Sequence, residues 1–244
     1  MYRTKSAIEC TSRRYLSTVS LADALSQSNL ERCFKNLEKS SIGPPKSGRE
    51  VVKRHSAVLV PFCTTEGNKP SILFNLRSNR LPRHKGYVCF PGGMQDEDDA
   101  HAADTALRET EEELGISRER IRVIGVAPPL FNPIDKLSIT AVIGVLNEGS
   151  DIDIRRDLVI NEEEVQLAFT RTLEELCDPK NLRWTQFRKR YGGYSLPVFI
   201  AGQYRIWGLT AVILNAVLRA LLPGTYVHRT KYSTLNPKYY DKPS

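Results

Sequence analysis

Between Arg108 and Gly115 the chain reads Arg-Glu-Thr-Glu-Glu-Glu-Leu-Gly. At about 100° per residue, a helix brings Glu109, Glu112 and Glu113, spaced i, i+3 and i+4, into one narrow arc, while Glu111 falls roughly opposite and reads as solvent-facing. Ala103, Ala106, Leu107, Thr110 and Leu114 occupy the neighbouring face. Like charges at this spacing destabilise an isolated helix by some tenths of a kcal/mol per pair, so three carboxylates on one stripe want a compensating cation. Their oxygens are hard ligands suited to Mg2+ or Mn2+, and Mg2+ in particular binds through a few carboxylates, retained waters and substrate phosphate oxygens. The chemistry implied is that of a phosphate-handling metal site. The competing reading is a solvated acidic helix face.

Neighbouring residues favour the site. Pro91-Gly92-Gly93 gives a tight turn whose backbone can approach a ligand, and Gly115 fits a helix stop. Arg108, adjacent to Glu109 and i, i+4 from Glu112, can hold that carboxylate by a charge-assisted pair. A second acidic run, Glu162-Glu163-Glu164, leads into Val165; Glu164 is a candidate base there, although a solvated turn is the favoured reading of the run. Upstream, Arg77, Arg80, Arg83, His84 and Lys85 concentrate positive charge, either to bind an anion or as a charged surface loop. His84 is a weak candidate for a ligand or acid, and Cys89, before Phe90, reads as a core residue.

The elements that must position these groups are short strands and two long helices. Ser56–Phe62 and Ser71–Leu76 read as a hairpin, and a third extended segment ends at Phe90. Ala100–Leu114 is predicted helical, followed by strands at Arg122–Ala127, Ser138–Leu146 and Val165–Phe169 and a short acidic helix around Thr172–Cys177. Gly192-Gly193 looks like a hairpin turn before strands at Ser195–Ile200 and Tyr204–Trp207. A last apolar helix, Leu209–Leu222, stops at Pro223-Gly224. This irregular alternation predicts a mixed α/β sandwich rather than a doubly wound nucleotide fold.

The chain has 244 residues, 41% of them hydrophobic and 26% charged, which excludes wholesale disorder or a fibrous repeat. Its 35 Lys and Arg against 28 Asp and Glu give a formal charge of +7, compatible with nucleic acid, an anionic membrane or phosphorylated small molecules. Five widely spaced cysteines (10, 33, 63, 89 and 177), with no C-x-x-C pair, read as reduced thiols. No stretch reaches the roughly 18 consecutive apolar residues of a membrane span. The first twenty residues, with Arg3, Lys5, Arg13 and Arg14 against Glu9 alone and many Ser and Thr, have the balance of a mitochondrial transit peptide. The expected organisation is a transit peptide and polar linker over 1–50, a catalytic domain over 51–226 and a tail over 227–244.

The sequence resembles the Nudix hydrolase family, whose box is Gly-x5-Glu-x7-Arg-Glu-U-x-Glu-Glu-x-Gly-U, with U a bulky aliphatic residue. Arg108, Glu109, Glu112, Glu113, Gly115 and Ile116 match its second half. Counting on from Gly93 reaches Asp99 where the box has Glu, one extra residue separates Asp99 from Arg108, and Thr110 sits at a U position. These departures resemble the coenzyme A diphosphatase branch. Its upstream signature, Leu-Leu-Thr-x-Arg-Ser/Ala-x3-Arg-x3-Gly-x3-Phe-Pro-Gly-Gly, matches Leu73–Ser78 and Gly86–Gly93 in register, except that Pro82 stands at the second Arg position, where Arg80, Arg83 or Lys85 can supply the charge.

The resemblance implies a Nudix-type α/β/α sandwich with a central mixed sheet, and Mg2+- or Mn2+-dependent cleavage of coenzyme A to 3',5'-ADP and 4'-phosphopantetheine. It implies Glu109 and Glu113 as principal ligands, Glu112 as a ligand or water-orienting base, and Arg108 and Glu164 in catalysis. Arg77, Arg80, Arg83, Gly92 and Gly93 would meet the substrate, with Arg77 on the 3'-phosphate or the diphosphate. The expected partner is a small molecule, with no nucleic acid and no membrane span. The alternatives are hydrolysis of another nucleoside diphosphate derivative, such as ADP-ribose or NADH, and a non-catalytic basic protein binding RNA or an anionic surface.

Overall fold

A computed structural model of the protein describes residues 23–39, 52–132, 136–146, 150–189 and 192–228. The elements are helix α1 (Gln27–Glu38), strands β1 (Arg54–Thr65), β2 (Lys69–Arg77), β3 (Val88–Cys89) and β4 (Gly92–Met94), helix α2 (Ala102–Leu114), and strands β5 (Ile121–Val126), β6 (Leu130–Asn132) and β7 (Leu137–Leu146). A short helix α3 (Ile154–Asp157) precedes strand β8 (Val165–Thr172), helix α4 (Leu173–Cys177), strands β9 (Leu182–Lys189) and β10 (Gly192–Phe199), and helix α5 (Gly208–Leu221).

The strands form one mixed sheet along the path β3-β2-β1-β7-β5, with β4 on β1, β6 on β7 and β8 on β2. β1 and β7 run parallel; the other pairs are antiparallel. Strand alternation feeds two cores on opposite faces. Val60, Phe62, Ile72, Phe74 and Leu76 pack with α1 and α5, whereas Ala57, Leu59, Leu73, Val142 and Val165 pack under α2. The mixed α/β sandwich expected from the sequence is thus the observed architecture, with β9 and β10 as a separate ribbon.

Several details differ from expectation, among them strands β6 and β9, which the sequence reading did not place. Within the segment read as polar linker, Gln27–Glu38 is a helix: Leu30, Cys33 and Leu37, at i, i+3 and i+7, are buried in the α5-side core. Buried Asn29 locks it there, donating Nδ2 to the carbonyls of Ala24 (2.7 Å) and Leu221 (3.1 Å). Gly192 and Gly193 lie inside β10, paired with Lys189 and Arg188, rather than at a turn. Tyr204–Trp207 makes a single bridge, Phe199 to Ile206, instead of a strand. The expected transit peptide, the rest of the linker beyond residue 39 and the tail beyond residue 228 lie outside the described residues.

Among the described residues no helix is long and apolar enough to cross a membrane. Cys33, Cys63, Cys89 and Cys177 are free thiols, and burial pushes each up to about 12; Cys10 lies outside the described residues.

Candidate active site

Helix α2 carries the carboxylates, and its ends are fixed by local chemistry. His101 N–H donates to Asp104 Oδ2 at 2.9 Å at the start. Gly115, left-handed at φ 65°, closes the last turn by donating its N–H to the Glu111 carbonyl. A Cβ at this position would run into Val159, so the glycine also admits the following segment. That segment is stitched to the helix: Val159 and Asn161 donate their N–H groups to the carbonyls of Leu114 (2.8 Å) and Glu113 (3.0 Å). Ser78 N–H then donates to the Glu164 carbonyl at 2.8 Å. These backbone bonds carry Glu164, distant in sequence, to the helix face.

There Glu109, Glu113 and Glu164 each present a carboxylate oxygen within 4.8 Å of the others. Glu113 is 2% exposed, and burial, reinforced by the charges of Glu109 and Glu164, raises its pKa to about 8. Burial first, then the Glu112 charge, also raises Glu109. Three acids driven together against desolvation and mutual repulsion are a poor arrangement without a cation and a good one with it. The donor set is all oxygen and suits Mg2+ or Mn2+.

The sheet supplies the other half. Leu73 faces the α2-side core, so alternation along β2 puts Asn75 and Arg77 on that side too. Fully buried Asn75 donates Nδ2 to Glu113 Oε2 at 2.7 Å, and Gly92 N–H approaches the same oxygen at 3.2 Å. The Arg77 guanidinium lies close enough to Glu113 and Cys89 to act on both electrostatically. Two buried polar atoms here, Asn75 Oδ1 and Arg77 Nε, lack a hydrogen-bond partner, an arrangement ready for a ligand. Cys89, opposite Asn75 in the ladder, thus borders the site rather than lying in the core as expected.

Arg108 is a clamp. Its Nε and Nη2 grip Asp99 at 3.2 and 2.9 Å, Nη2 also donates to the Met94 carbonyl (3.0 Å), and Nη1 bridges Glu109 (3.2 Å) and Glu112 (3.1 Å). The fork holds the Asp99 carboxyl well below the usual carboxylate range. The extra residue between Asp99 and Arg108 is therefore absorbed without losing the pair. The guanidinium is thereby committed to these carboxylates and the Met94 carbonyl.

The glycines act on the same groups. Gly92, at φ 147°, has no room for a Cβ against the Ala57 carbonyl, and a Cβ on Gly93 would strike the Glu109 carboxylate. Both shape the carboxylate cradle directly.

Other expectations are redistributed. Glu112, 51% exposed against 14% for Glu109, stands beside the triplet rather than in it. Glu164, half-buried, joins the triplet, while Glu162 and Glu163 are exposed as the solvated-turn reading of the run expects. The Arg80 guanidinium is engaged by Glu163 at the surface, which does not support its assignment to substrate, and Arg83 is exposed on the same loop. Sequence reasoning gave Asn75 no role, and it placed Asp99 only as the residue standing at the Glu position of the box. The available signal for Asn75 was a lone amide inside the apolar run Ser71–Leu76.

The Nudix domain family model matches residues 53–190. The chain is 40% identical over 208 residues to the mitochondrial coenzyme A diphosphatase NUDT8 of Mus musculus, covering 84% of this chain and 94% of that protein. It is 43% identical over 176 residues to the Homo sapiens protein of the same name, covering 71% and 72%. Nudix hydrolase 3 of Caenorhabditis elegans is 33% identical, covering 81% of this chain and 87% of that one.

Proposed function

The chain belongs to the Nudix hydrolase family, and from that premise we propose that it cleaves the diphosphate of coenzyme A and its acyl derivatives, releasing 3',5'-ADP and 4'-phosphopantetheine or its acylated form. One observation carries the hydrolytic chemistry: Glu109, Glu113 and Glu164 converge beside Arg77, whose buried Nε has no partner. The substrate reading rests on the two relatives named as coenzyme A diphosphatases and on the signature spanning Leu73 to Gly93.

Nudix hydrolases use divalent metal ions, and here Mg2+ or Mn2+ held by Glu109, Glu113 and Glu164 would neutralise diphosphate charge and acidify a water. Arg77 reaches the diphosphate with its guanidinium and offsets charge that grows on the leaving oxygen. Glu112, outside the triplet and open to solvent, accepts the proton of the attacking water. Arg108 holds Glu112 and Glu109 in place, and Asn75 with Gly92 orients Glu113.

The relatives' names and the basic, Ser- and Thr-rich first twenty residues support a mitochondrial location. The test is a substrate panel of coenzyme A, acyl-coenzyme A, ADP-ribose and NADH, with products identified by mass. Preferred release of 3',5'-ADP from coenzyme A is expected, stopped by chelator and restored by Mn2+ or Mg2+. Preferred turnover of ADP-ribose or NADH would replace the substrate reading, and activity in excess chelator would sink the metal mechanism.

A further inference from the structure

Across the β2–β3 ladder from Arg77 lies an aromatic cluster that the hydrolytic chemistry does not use. The β2–β3 register pairs Asn75 with Cys89 and Leu76 with Val88; continuing it by one residue sets Tyr87 opposite Arg77, whose N–H donates to the Tyr87 carbonyl at 3.0 Å. The Tyr87 ring packs against Trp207 (centroids 4.7 Å apart) and His84 (5.4 Å), yet Tyr87 stays 40% exposed. Exposed Arg205 stacks its guanidinium over Trp207 at 5.2 Å. The position is pinned from beneath, because Thr210, in the first turn of α5, donates Oγ1 to the Val88 carbonyl at 3.0 Å.

We propose that Tyr87 and Trp207 form the stacking platform for the adenine ring of the substrate, and that Arg205 holds the 3'-phosphate. The inference rests on the coenzyme A reading and adds its nucleoside subsite. Directly opposed residues in an antiparallel pair lie about 5 Å apart, so a diphosphate engaged by Arg77 delivers its attached adenosine to the Tyr87 side. A purine presents a flat π-face, which partly exposed aromatic rings receive, and its 3'-phosphate calls for a fixed guanidinium. The pantetheine arm has neither an aromatic face nor a charge, so this cluster offers it nothing specific. On this assignment Arg77 serves the diphosphate, and discrimination between coenzyme A and its 3'-dephospho form falls to Arg205.

The experiment uses the full chain carrying Trp184→Phe, which leaves Trp207 as the sole tryptophan. Its emission is followed while 3',5'-ADP or 5'-AMP is added, with calorimetry in parallel. Both nucleotides should change Trp207 emission saturably. Tyr87→Leu should weaken both roughly fivefold or more, with Tyr87→Phe restoring binding. Arg205→Ala should weaken 3',5'-ADP roughly tenfold and leave 5'-AMP within about twofold. Nucleotide binding seen by calorimetry without any change in Trp207 emission, or unaltered by Tyr87→Leu, overturns the platform. Equal effects of Arg205→Ala on both nucleotides overturn the 3'-phosphate contact. The substrate reading is judged separately, by the mass-detected panel: if another adenine-containing diphosphate is preferred there, the response to 5'-AMP still tests the platform.

Discussion

Asn75 Nδ2 donates to Glu113 Oε2 at 2.7 Å, joining the middle of β2 to the last turn of α2 through a contact buried from water. It fixes the orientation of a carboxylate that helical winding alone leaves free to rotate. Asn75→Leu keeps approximate volume and removes the donor. Turnover should fall about tenfold to a hundredfold, the usual effect of losing a partner that orients a metal ligand, with Mn2+ affinity falling alongside. Steady-state kinetics and a Mn2+ titration check this; an Asn75→Leu protein equal to wild type in both would show the contact to be incidental.

The carboxylates should separate into two groups. Glu109→Gln, Glu113→Gln and Glu164→Gln should each weaken Mn2+ binding more than about tenfold and abolish most turnover, because each removes a charge from the triplet. Glu112→Gln should hold Mn2+ affinity within about threefold yet lower kcat roughly 100-fold. Loss of metal from Glu112→Gln would return that residue to the ligand set.

Stability of the metal-free protein should depend on pH through Glu113. Its folded pKa of about 8 stands above the ordinary 4.5, so the folded state binds the proton more tightly than the unfolded chain. The stabilisation is complete below about pH 4.5 and lost as pH rises through 8; Glu109, also raised, acts in the same direction. Asp99 and Asp157 are depressed and act only in more acidic solution. Thermal melts from pH 5 to 8.5 should therefore show a falling Tm, on the order of 3 °C for each kcal/mol lost. Glu113→Gln should flatten the slope and Mn2+ at pH 8.5 should reverse it. A flat wild-type profile would contradict the burial argument.

Arg77→Ala should impair hydrolysis of coenzyme A and its 3'-dephospho form equally, since the guanidinium lies with Glu113 and Cys89 at the carboxylate end of the site. A selective loss on coenzyme A would move Arg77 to the 3'-phosphate.

Helix α1 should count toward folding. Leu30 is fully buried against the α5-side core, and Leu30→Ala should lower stability by about 2–5 kcal/mol. Denaturant unfolding measures it. A change under about 0.5 kcal/mol, within the range of surface substitutions, would mean the helix is only loosely docked.

Much of the machinery was legible from spacing. The i, i+3, i+4 pattern put Glu109, Glu112 and Glu113 on one arc, and Gly115 ended the helix where its φ of 65° permits. Helix α1 carried a readable stripe at Leu30, Cys33 and Leu37, masked by the polar composition around it. Strand β9 was hidden because Arg183, Arg188 and Lys189 break the apolar pattern of a ribbon that stands off the main sheet.

What the linear order determined was therefore local: a helix with its acids on one face, a glycine turn before it, and a mixed α/β arrangement of alternating elements. Only the tertiary structure decided which acids meet. Glu112 and Glu113 flank Glu109 in an arc about 100° wide, and winding alone does not say which of them faces the sheet: that depends on which one β2 covers, and Asn75 covers Glu113 while Glu112 remains at the surface. Glu164 joins through backbone bonds from Asn161 to Glu113 and from Ser78 to Glu164, contacts between segments far apart in the chain. A carboxylate's role follows from desolvation and from its neighbours in space, and these are fixed by packing rather than by position in the sequence.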